Sequence, residues 1–432
     1  MYKYLVILFL VVSCLGCSEQ KKPGFIRVEN GIFMDGDKPY YYVGTNYWYG
    51  GIIGSQGKFG DRERLLRELD ELKSIGVTNL RILVGAEGPD GEPSRVTPTL
   101  QTAPGVYNDT LLDGLDFLLS EMGKRGQKAV LFLNNSWEWS GGYSQYLSWN
   151  GYGPIPYPSV PPHTWPEFMR FSGQFHTCKP CVEQFHDFIR FILGRTNRYT
   201  GLKYTEDPAV MTWEVGNEPR AFSNENIPAM KEMVAGVAAL IKELDKNHLV
   251  TTGTEGQHGC EESIHLFEEI HADPNIDYLV MHIWPKNWSW LNPKDIAGTT
   301  QLSIDSTNAY MDKHVGIAEK LNKPIVIEEF GLPRDLHGYS PDETTVQRDR
   351  YYTNAFDKIL QSAQKKGVLA GCNIWSYGGE GRPAKDHIYW KPGDDYVGDP
   401  PQEEQGLNTV FNSDKTIRLI AEYNAKLRKL KN

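Results

Sequence analysis

The 432-residue chain is 40% hydrophobic and 12% aromatic, which is ample for a large core. Acidic side chains outnumber basic ones by 55 to 45, the net charge is -10, and no basic block is present, which argues against a nucleic-acid partner. The 11 Trp and 23 Tyr can fill a core, but flat rings also grip the apolar faces of sugar rings, so their number favours a carbohydrate ligand.

The N-terminus has the pattern of an export signal. A basic residue precedes an apolar run over residues 5–12, which is shorter than the roughly 20 residues that span a bilayer. The segments that end at Cys14 and at Cys17 both resemble bacterial lipobox sequences, in which the cysteine becomes the lipidated first residue. We predict a lipoprotein signal peptide over 1–17, cleaved before one of these cysteines, and a tether over 18–24; an ordinary secretory signal is the alternative. The expected location is the bacterial outer membrane through a lipid anchor, on its periplasmic or cell-surface side, or outside the cell as a secreted protein.

The four other cysteines predict one local disulfide. Cys178 and Cys181 are separated by two residues, and in an exported protein this spacing favours a bond between them. A zinc site would need a second pair of ligands nearby, and none stands out. Cys260 and Cys372 are predicted to be buried and unpaired. We expect no metal and no cofactor.

Residues 25–432 are predicted to form one domain that opens with a β-hairpin over 25–42. Apolar strands then alternate with amphipathic helices. The strands are predicted at 40–47, 77–84, 129–133, 210–218, 248–254, 276–283, 324–331 and 369–375, and the helices at 61–75, 111–125, 182–198, 228–244, 307–321, 348–365 and 415–430. Residues 85–108 and the aromatic stretch 136–162 are predicted loops, the second as a lid or cleft wall.

Nearly every predicted strand is a continuous apolar run, which is typical of parallel strands covered by helices. About eight strand–helix units favour a closed (β/α)8 TIM barrel with an N-terminal hairpin and long loops on the functional face. In such barrels the chemistry lies at the C-terminal ends of the strands. Core packing does not explain the residues at those ends, which are Trp48, Asn135, Asn217, Glu218, Glu255, His282, Trp284, Glu329 and Trp375.

Two of these strand ends share one design. The stretches 210–220 and 324–331 both run from apolar residues into carboxylates, with Glu218 in the first and Glu328 and Glu329 in the second. A carboxylate at the end of a buried strand lowers the stability of the fold unless it is exposed to water, paired with a cation or required for function. Two acids at the ends of two parallel strands are what glycoside hydrolysis needs, because one donates a proton and the other attacks carbon.

The same stretches resemble the two signatures of glycoside hydrolase family 5, as Trp-Glu-x-x-Asn-Glu-Pro-Arg at 213–220 and Ile-Glu-Glu-Phe-Gly at 327–331. Further segments resemble its endo-β-1,4-mannanase branch. They are Asn-Asn-x-Trp-Glu-Trp-Ser-Gly-Gly at 134–142, Arg-Thr-Asn-Arg-Tyr-Thr-Gly at 195–201, Tyr-x-x-Asp-Pro at 204–208, His-Ile-Trp-Pro-x-Asn-Trp at 282–288 and Trp-x-Tyr-Gly-Gly-Glu-Gly-Arg-Pro at 375–383. The resemblance extends from about residue 25 to the C-terminus and rests on the shared order of these motifs.

The resemblance implies a retaining mechanism with Glu218 as acid/base and Glu329 as nucleophile. Strand alternation lets only one of Glu328 and Glu329 face the site, and the family places the nucleophile just before the aromatic residue and Gly. Glu328 is therefore expected to face the helical layer. Arg81, inside a buried strand, needs a carboxylate partner and is expected to hold down the pKa of Glu329. Burial and a neighbouring carboxylate are expected to raise the pKa of Glu218.

Other residues take expected roles from the family pattern. Asn217 resembles the Asn that bonds the sugar 2-hydroxyl, His282 resembles a His that lines the catalytic subsite, and Trp375 resembles the platform beneath the sugar ring. Trp284 stands where the family commonly has Tyr, so an indole N–H replaces a hydroxyl beside the nucleophile. Arg220 resembles a contact on the leaving-group side, with a structural ion pair as the alternative.

The remaining expected substrate contacts are Trp48, Trp137 and Glu380 at outer subsites, with Arg81 and Asn135. Asn135 belongs to an Asn pair that stands, as in mannanases, where the wider family often has His. The resemblance implies an endo-acting hydrolase of β-1,4-mannosidic bonds in mannan, glucomannan or galactomannan, expected to be a monomer. The alternatives are a β-1,4-glucanase or an exo-β-mannosidase with the same site, and a non-catalytic glycan-binding lipoprotein. The metallohydrolase motif His-Glu-x-x-His and the serine hydrolase motif Gly-x-Ser-x-Gly do not occur.

Overall fold

The computed structural model describes residues 24–430. The predicted signal peptide, with Cys14 and Cys17, and residues 18–23 of the predicted tether lie outside the described residues. The described chain opens with a three-stranded antiparallel sheet made of β1 (Ile26–Glu29), β2 (Ile32–Asp35) and β3 (Lys38–Pro39). The predicted hairpin is therefore confirmed and gains a third strand.

The later strands are β4 (Tyr42–Asn46), β5 (Asn79–Leu83), β6 (Gln101–Ala103), β7 (Val106–Tyr107), β8 (Lys128–Phe132), β9 (Val210–Glu214), β10 (Leu249–Thr251), β11 (Leu279–Ile283), β12 (Ile325–Phe330), β13 (Leu369–Ile374), β14 (Tyr377–Gly379) and β15 (Val410–Phe411). The α-helices are α1 (Gly50–Ile53), α2 (Arg62–Ser74), α3 (Asp109–Arg125), α4 (Gly142–Trp149), α5 (Trp165–Ser172), α6 (Lys179–Leu193), α7 (Ile227–Leu244), α8 (Ile264–His271), α9 (Ile296–Leu321), α10 (Val346–Lys365) and α11 (Thr416–Lys429).

Eight strands form one parallel sheet in the order β10-β9-β8-β5-β4-β13-β12-β11. The two end strands also meet, because the N–H of Asp277 donates to the carbonyl of Val250 (2.9 Å) and that of His282 donates to Glu255 (3.3 Å). The sheet thus curls into the predicted (β/α)8 barrel. Nearly all residues of its strands are buried, since side chains fill the interior and helices cover the outside, which is why the strands are continuous apolar runs.

Local signals fix the helix ends, as α3 illustrates. The side chain of Asn108 accepts hydrogen bonds from the N–H groups of Thr110 and Leu111, which satisfies donors that the first helical turn leaves free. Gly126 ends the helix with a φ of 69°, a conformation that favours glycine. The predicted helix begins two residues later than the observed one, because the capping role of Asn108 is not visible in the apolar periodicity.

Several predicted segments differ from the structure, among them the helix predicted over 307–321, which begins at Ile296. The strand predicted over 210–218 ends at Glu214, although Asn217 and Glu218 still donate backbone hydrogen bonds to Asn134 and Gly253, both at 2.8 Å. The aromatic stretch 136–162 is not wholly a loop, because it contains α4. The predicted loop 85–108 contains the short antiparallel pair β6–β7.

The cysteine predictions are confirmed. Cys178 and Cys181 form a disulfide at the start of α6, and Cys260 and Cys372 are buried and free. Within residues 24–430, no helix combines the length and the apolar character that crossing a membrane requires.

Candidate active site

A pocket of ≈ 590 Å³ opens at the C-terminal ends of the barrel strands, where the sequence predicts the site. Six indole rings line it, from Trp137, Trp139, Trp165, Trp284, Trp288 and Trp375. Five carboxyl groups line it as well, from Glu218, Glu255, Glu329, Glu403 and Glu404. Flat apolar rings beside acids suit a sugar, which presents apolar ring faces and hydroxyl edges.

Glu218 lies just beyond β9, and two nitrogen atoms lie within hydrogen-bond distance of its carboxyl group. The residue has a φ of 52°, and its backbone N–H donates to Gly253. The indole Nε1 of Trp137 donates to Oε2 (2.5 Å), and Nδ1 of His282 lies 2.8 Å from Oε1. Burial raises the pKa of Glu218, whereas Arg220 and the Trp137 N–H lower it. The net direction is upward, which confirms the predicted effect of burial.

Glu329, in β12, faces a cation. Arg81 projects from β5 into the barrel, where its Nη1 contacts Oε1 of Glu329. The same guanidinium holds Glu214 through two hydrogen bonds of 2.6 and 2.9 Å, and it donates to Oδ1 of Asn217 (2.9 Å). Nδ1 of His282 lies 3.3 Å from Oε2 of Glu329. Arg81 is entirely buried, and its partners provide the pairing that a buried charge requires.

Burial, rather than Arg81, sets the direction in which the pKa of Glu329 moves. Removal from water raises this pKa well above its ordinary value and the nearby Glu218 raises it further, while Arg81 lowers it. The prediction that Arg81 keeps the pKa low is therefore wrong in its net direction, because the sequence shows the cation but not the depth of burial. Since Arg81 contacts Glu329 and not Glu218, we expect a proton that the two carboxyls share to reside on Glu218.

The two carboxyl groups lie close enough to act on one carbon atom. One oxygen of Glu218, one of Glu329 and a ring nitrogen of His282 all lie within 4.8 Å of one another. Retaining glycosidases hold their carboxyls about 5–5.5 Å apart, and inverting ones about 6.5–9.5 Å apart. The three atoms are enough in number to ligate a metal ion, but N–H groups of Arg81 and Trp137 already point at these carboxyls, which suits bare carboxyls better than metal-bound ones. The geometry is that of a retaining glycosidase.

The whole domain matches a family model described as GH family 5 beta-mannosidase-like, over residues 23–432. The chain belongs to glycoside hydrolase family 5. Mannan endo-1,4-beta-mannosidase 7 of Arabidopsis thaliana is 29% identical over 390 residues, which are 87% of this chain and 83% of that protein. Mannan endo-1,4-beta-mannosidase 4 of Solanum lycopersicum is 30% identical over 304 residues, which are 67% of this chain and 69% of that protein.

Solved structures of the family agree with this assignment. The glycoside hydrolase family 5 mannosidase from Rhizomucor miehei is 33% identical, with a TM-score of 0.85, and the match covers 94% of this chain and 98% of that one. A mutant of the same mannosidase, with the same identity, coverage and TM-score, was solved in complex with mannosyl-fructose.

Most residues that the family pattern points to do line the pocket. Trp137, Asn217 and Arg220 stand on one side, and Trp284 and Trp375 meet edge to face with ring centroids 6.0 Å apart. Nε1 of Trp375 makes no hydrogen bond of standard geometry within residues 24–430, but its N–H faces Glu403 and lowers the pKa of that carboxyl. His282 is fully buried and contacts both carboxyls from below.

Two pocket residues keep polar contacts of their own. Arg220 forms an ion pair with Glu255 (2.5 Å), so the ion pair that was its alternative interpretation is present beside the pocket. Oδ1 of Asn217 accepts from Arg81, and its Nδ2 donates to Asn135 (3.1 Å). One amide hydrogen of Asn217 is therefore left for a sugar hydroxyl.

Arg81 and Asn135 were predicted to bind substrate, but neither lines the pocket. Arg81 is buried beneath Glu329 and acts on it directly. Asn135 is buried as well, and its Oδ1 accepts from the backbone N–H of Trp137 (3.0 Å) and from the side chain of Asn217. Both residues position groups of this family 5 site, and the prediction of direct substrate contact is wrong.

Trp48 and Glu380 are also wrong as outer-subsite contacts. Trp48 is buried, and its Nε1 donates to the carbonyl of Gly398 (2.7 Å), so it anchors the loop that follows β14. Glu380 forms an ion pair with Arg67 of α2 (2.8 Å), on the outer side of that loop. Position after a strand predicts the right end of the barrel, but loop packing decides which way each side chain points.

Glu328 does not face the helical layer. Between β11 and β12, Met281 pairs with Ile327 and His282 with Glu329, so Glu328 is the extra residue of a β-bulge. The bulge breaks the strand alternation on which the prediction rested. Glu328 is buried, with Oε2 lying 3.8 Å from Nε of Arg81 and 3.7 Å from Nε2 of His282.

Two features of the site were not predicted from the sequence. Glu214, inside the first signature stretch, is the principal partner of Arg81, and its place in a buried strand opposite a buried Arg was a usable signal. Residues 381–408 form a second wall, from which Gln402 and Glu403 line the pocket. No periodic pattern marks this wall, because an irregular loop has none.

Proposed function

We propose that this chain is a retaining endo-β-1,4-mannosidase that hydrolyses mannan, glucomannan or galactomannan. The observation that carries the proposal is the pair of carboxyl oxygens within 4.8 Å, one carboxyl facing a guanidinium and the other facing the neutral N–H of Trp137. The names of the plant relatives, which are mannan endo-1,4-beta-mannosidases, support the choice of bond.

The reaction follows from these surroundings. Glu329, ionised beside Arg81, attacks the anomeric carbon while Glu218 gives its proton to the departing glycosidic oxygen. The resulting glycosyl ester removes the negative charge of Glu329, so the pKa of Glu218 falls and its carboxylate can accept a proton from water. That water attacks the same carbon and releases the sugar with its original configuration.

The indole rings supply the binding surface for the sugar chain. Trp375 is placed to lie beneath a sugar ring, and the rings of Trp137 and Trp165, with centroids 5.7 Å apart, extend the surface toward the pocket rim. The free amide hydrogen of Asn217 can donate to the 2-hydroxyl of the bound sugar. The axial orientation of this hydroxyl distinguishes mannose from glucose.

Product analysis of linear β-1,4-mannan, β-1,4-glucan and mannobiose tests the proposal. We expect mannan to be shortened to oligosaccharides of mixed length, with the β-anomer appearing first in a proton NMR time course, and we expect glucan to be cleaved far more slowly. Glu329→Ala is the inactive control. Preferential cleavage of glucan, or the α-anomer as the first product, would contradict the proposal.

A second candidate, an exo-acting β-mannosidase, is favoured by one feature of the pocket. Lys286, in the loop after β11, forms an ion pair with Glu404 of the second wall (3.2 Å), and Tyr339 donates to the same carboxyl (3.3 Å). These contacts close the pocket on that side, and the similar Rhizomucor miehei protein is described as a mannosidase. Release of mannose alone from reduced mannohexaose, without intermediate oligosaccharides early in the reaction, would select this candidate.

We also propose that the protein is exported and lipid-anchored through Cys14 or Cys17, and that it acts as a monomer. The pattern of residues 1–17 supports the anchor. Labelling of the full chain with a radioactive fatty acid in a bacterial host should be lost in one of Cys14→Ala and Cys17→Ala and kept in the other. Light scattering of the solubilised protein tests the oligomeric state.

A further inference from the structure

We propose that Glu328 is a positioning residue, which stays neutral and donates a hydrogen bond to Nε2 of His282, so that the ring carries its hydrogen on Nδ1 and directs it at both catalytic carboxyls. The inference rests on the proposed retaining hydrolysis, whose acid/base and nucleophile it serves.

His282 separates the two catalytic carboxyls from Glu328. Its Nδ1 lies 2.8 Å from Oε1 of Glu218 and 3.3 Å from Oε2 of Glu329, while Nε2 lies on the far edge of the ring, 3.7 Å from Oε2 of Glu328. Within residues 24–430, neither this Nε2 nor this Oε2 has any hydrogen-bond partner, and both residues are buried. Two orphaned polar atoms that face each other across 3.7 Å are most simply one hydrogen bond that closes by a small movement.

The chemistry of the site requires the hydrogen on Nδ1. If Nδ1 were bare, the proton of Glu218 would be held in a hydrogen bond to His282 and would be withheld from the glycosidic oxygen. A bare Nδ1 would also set its lone pair against the carboxylate of Glu329. With the hydrogen on Nδ1, the ring donates to both carboxyls, leaves the proton of Glu218 free, and stabilises the Glu218 carboxylate that forms after transfer.

Nε2 is then an acceptor, so Glu328 must be the donor and must be neutral. Arg81 supplies one positive charge, and Glu214 and Glu329 already contact it at hydrogen-bond distance. Glu328 lies farther from the guanidinium, at 3.8 Å, so a third carboxylate would add an uncompensated negative charge to a dry site. Burial and Glu214 raise the pKa of Glu328 to about 7, in line with a neutral side chain in mildly acidic solution.

Two carboxylates also face this pair, and each has a cation of its own. Glu214 contacts Glu328 but has both oxygens on Arg81. Glu255, which acts on His282, is paired with Arg220.

Burial lowers the pKa of His282 to about 4, so the ring is neutral and carries one hydrogen only. Tyr42 of β4 and Tyr278, just before β11, feel the charge of Glu328, and burial raises the pKa of both phenols well above the ordinary value, so both stay neutral.

Glu328→Gln and Glu328→Leu separate this role from a packing role. Gln keeps a neutral donor and cannot ionise, whereas Leu removes the donor. Glu87→Gln is the matched control, because Glu87 is a buried carboxyl outside the pocket whose pKa burial raises to about 8.

Two properties are measured. The first is the tautomer of His282, from two-dimensional nitrogen–proton NMR of the histidine-labelled full chain, with the His282 signals assigned by comparison with His282→Gln. The second is the pH profile of mannan hydrolysis. We expect the Nδ1–H pattern in the wild type at pH 5.5, the same pattern in Glu328→Gln up to higher pH than in the wild type, and its loss in Glu328→Leu. We expect kcat to fall about tenfold in Glu328→Leu with KM little changed, and to stay within about threefold in Glu328→Gln.

An Nε2–H pattern in the wild type at pH 5.5, or a Glu328→Leu variant that matches Glu87→Gln in both readouts, would overturn the inference. Loss of the pattern in Glu328→Gln as well would overturn it too, because a neutral donor would then not suffice. If the wild type failed to hydrolyse mannan, the proposed function would fail, whereas the NMR pattern would still decide the part played by Glu328.

Discussion

The ends of β9 and β12 share one sequence pattern but have different neighbours in the structure. Each is an apolar run that finishes in a glutamate at the pocket. Glu218 meets the neutral N–H of Trp137 and the buried imidazole of His282, while Glu329 meets the guanidinium of Arg81. Burial raises the pKa of both carboxyls, so burial alone does not tell them apart.

The difference teaches that neighbours, rather than the strands themselves, assign the acid and the nucleophile. A full positive charge stabilises a carboxylate more than a neutral N–H does, because charge-assisted hydrogen bonds are roughly twice as strong. The proton that the pair retains therefore lies on Glu218, and Glu329 remains ionised. Substitution of each of these residues should remove one contact that makes the two carboxyls different.

The largest effect is expected from Glu329→Ala, which removes the nucleophile. We expect kcat/KM on mannan to fall by about 10⁴-fold or more, because no covalent intermediate can form. Steady-state hydrolysis with a reducing-sugar assay measures this loss. Glu380→Ala should stay within about twofold of the wild type, since Glu380 pairs with Arg67 outside the pocket. An equal loss in both variants would show that the assay reports folding, not chemistry.

Glu218→Ala should cost somewhat less, about 10²- to 10⁴-fold on mannan, which is the usual contribution of general acid–base catalysis. The loss should shrink with an aryl mannoside whose leaving group needs no proton, and an initial burst of phenol should precede slow turnover. Rapid-mixing absorbance measurements detect the burst. A loss that is the same for both substrates would remove Glu218 from the role of acid.

Arg81→Met should affect both stability and the acid side of the pH profile. Arg81 lowers the pKa of Glu329, so its removal raises that pKa, and activity should disappear at a higher pH as the solution is acidified. Leaving Glu214 unpaired should also cost about 3–5 kcal/mol of unfolding free energy.

The double variant Arg81→Met with Glu214→Gln separates these two effects. The double variant removes the unpaired carboxylate of Glu214, so thermal denaturation should show that much of the lost stability is restored. The acid limb of the pH profile should stay displaced toward higher pH. Recovery of the wild-type acid limb in the double variant would contradict the proposed effect of Arg81 on Glu329.

Trp137→Phe should give the smallest change, because it removes one hydrogen bond and keeps an aromatic ring. The Trp137 N–H lowers the pKa of Glu218, so its loss raises that pKa, and the alkaline limb of the profile should move to higher pH. We expect kcat to fall about tenfold or less. A pH–rate profile checks both, and a shift of the alkaline limb toward lower pH would contradict the account.

The sequence predicted the barrel because parallel strands buried on both faces leave continuous apolar runs, and those runs place each strand within a few residues. It predicted functional carboxylates at the ends of β9 and β12 because a buried carboxylate without a partner is unfavourable, and the resemblance to the family selected Glu329 over Glu328. It could not predict the direction of Glu328, since one extra residue opposite Met281 and His282 breaks the alternation without any sign in composition.

The loops account for the other misses. Trp48 follows β4 as Trp375 follows β13, yet only Trp375 reaches the pocket, because the carbonyl of Gly398 holds the Trp48 indole elsewhere. Glu403 enters the pocket from an irregular wall whose path depends on long-range packing. Such contacts are set by tertiary structure, so no local pattern carries them.

The most direct test of the assignment of Glu218 and Glu329 is the configuration of the sugar azide formed when azide is added to an activated β-mannoside and either variant. With Glu329→Ala, azide should take the place of the nucleophile and give the α-mannosyl azide. With Glu218→Ala, the glycosyl-enzyme still forms on Glu329, so azide should give the β-mannosyl azide. Proton NMR distinguishes the two products, and the reverse assignment, or one configuration from both variants, would contradict the account.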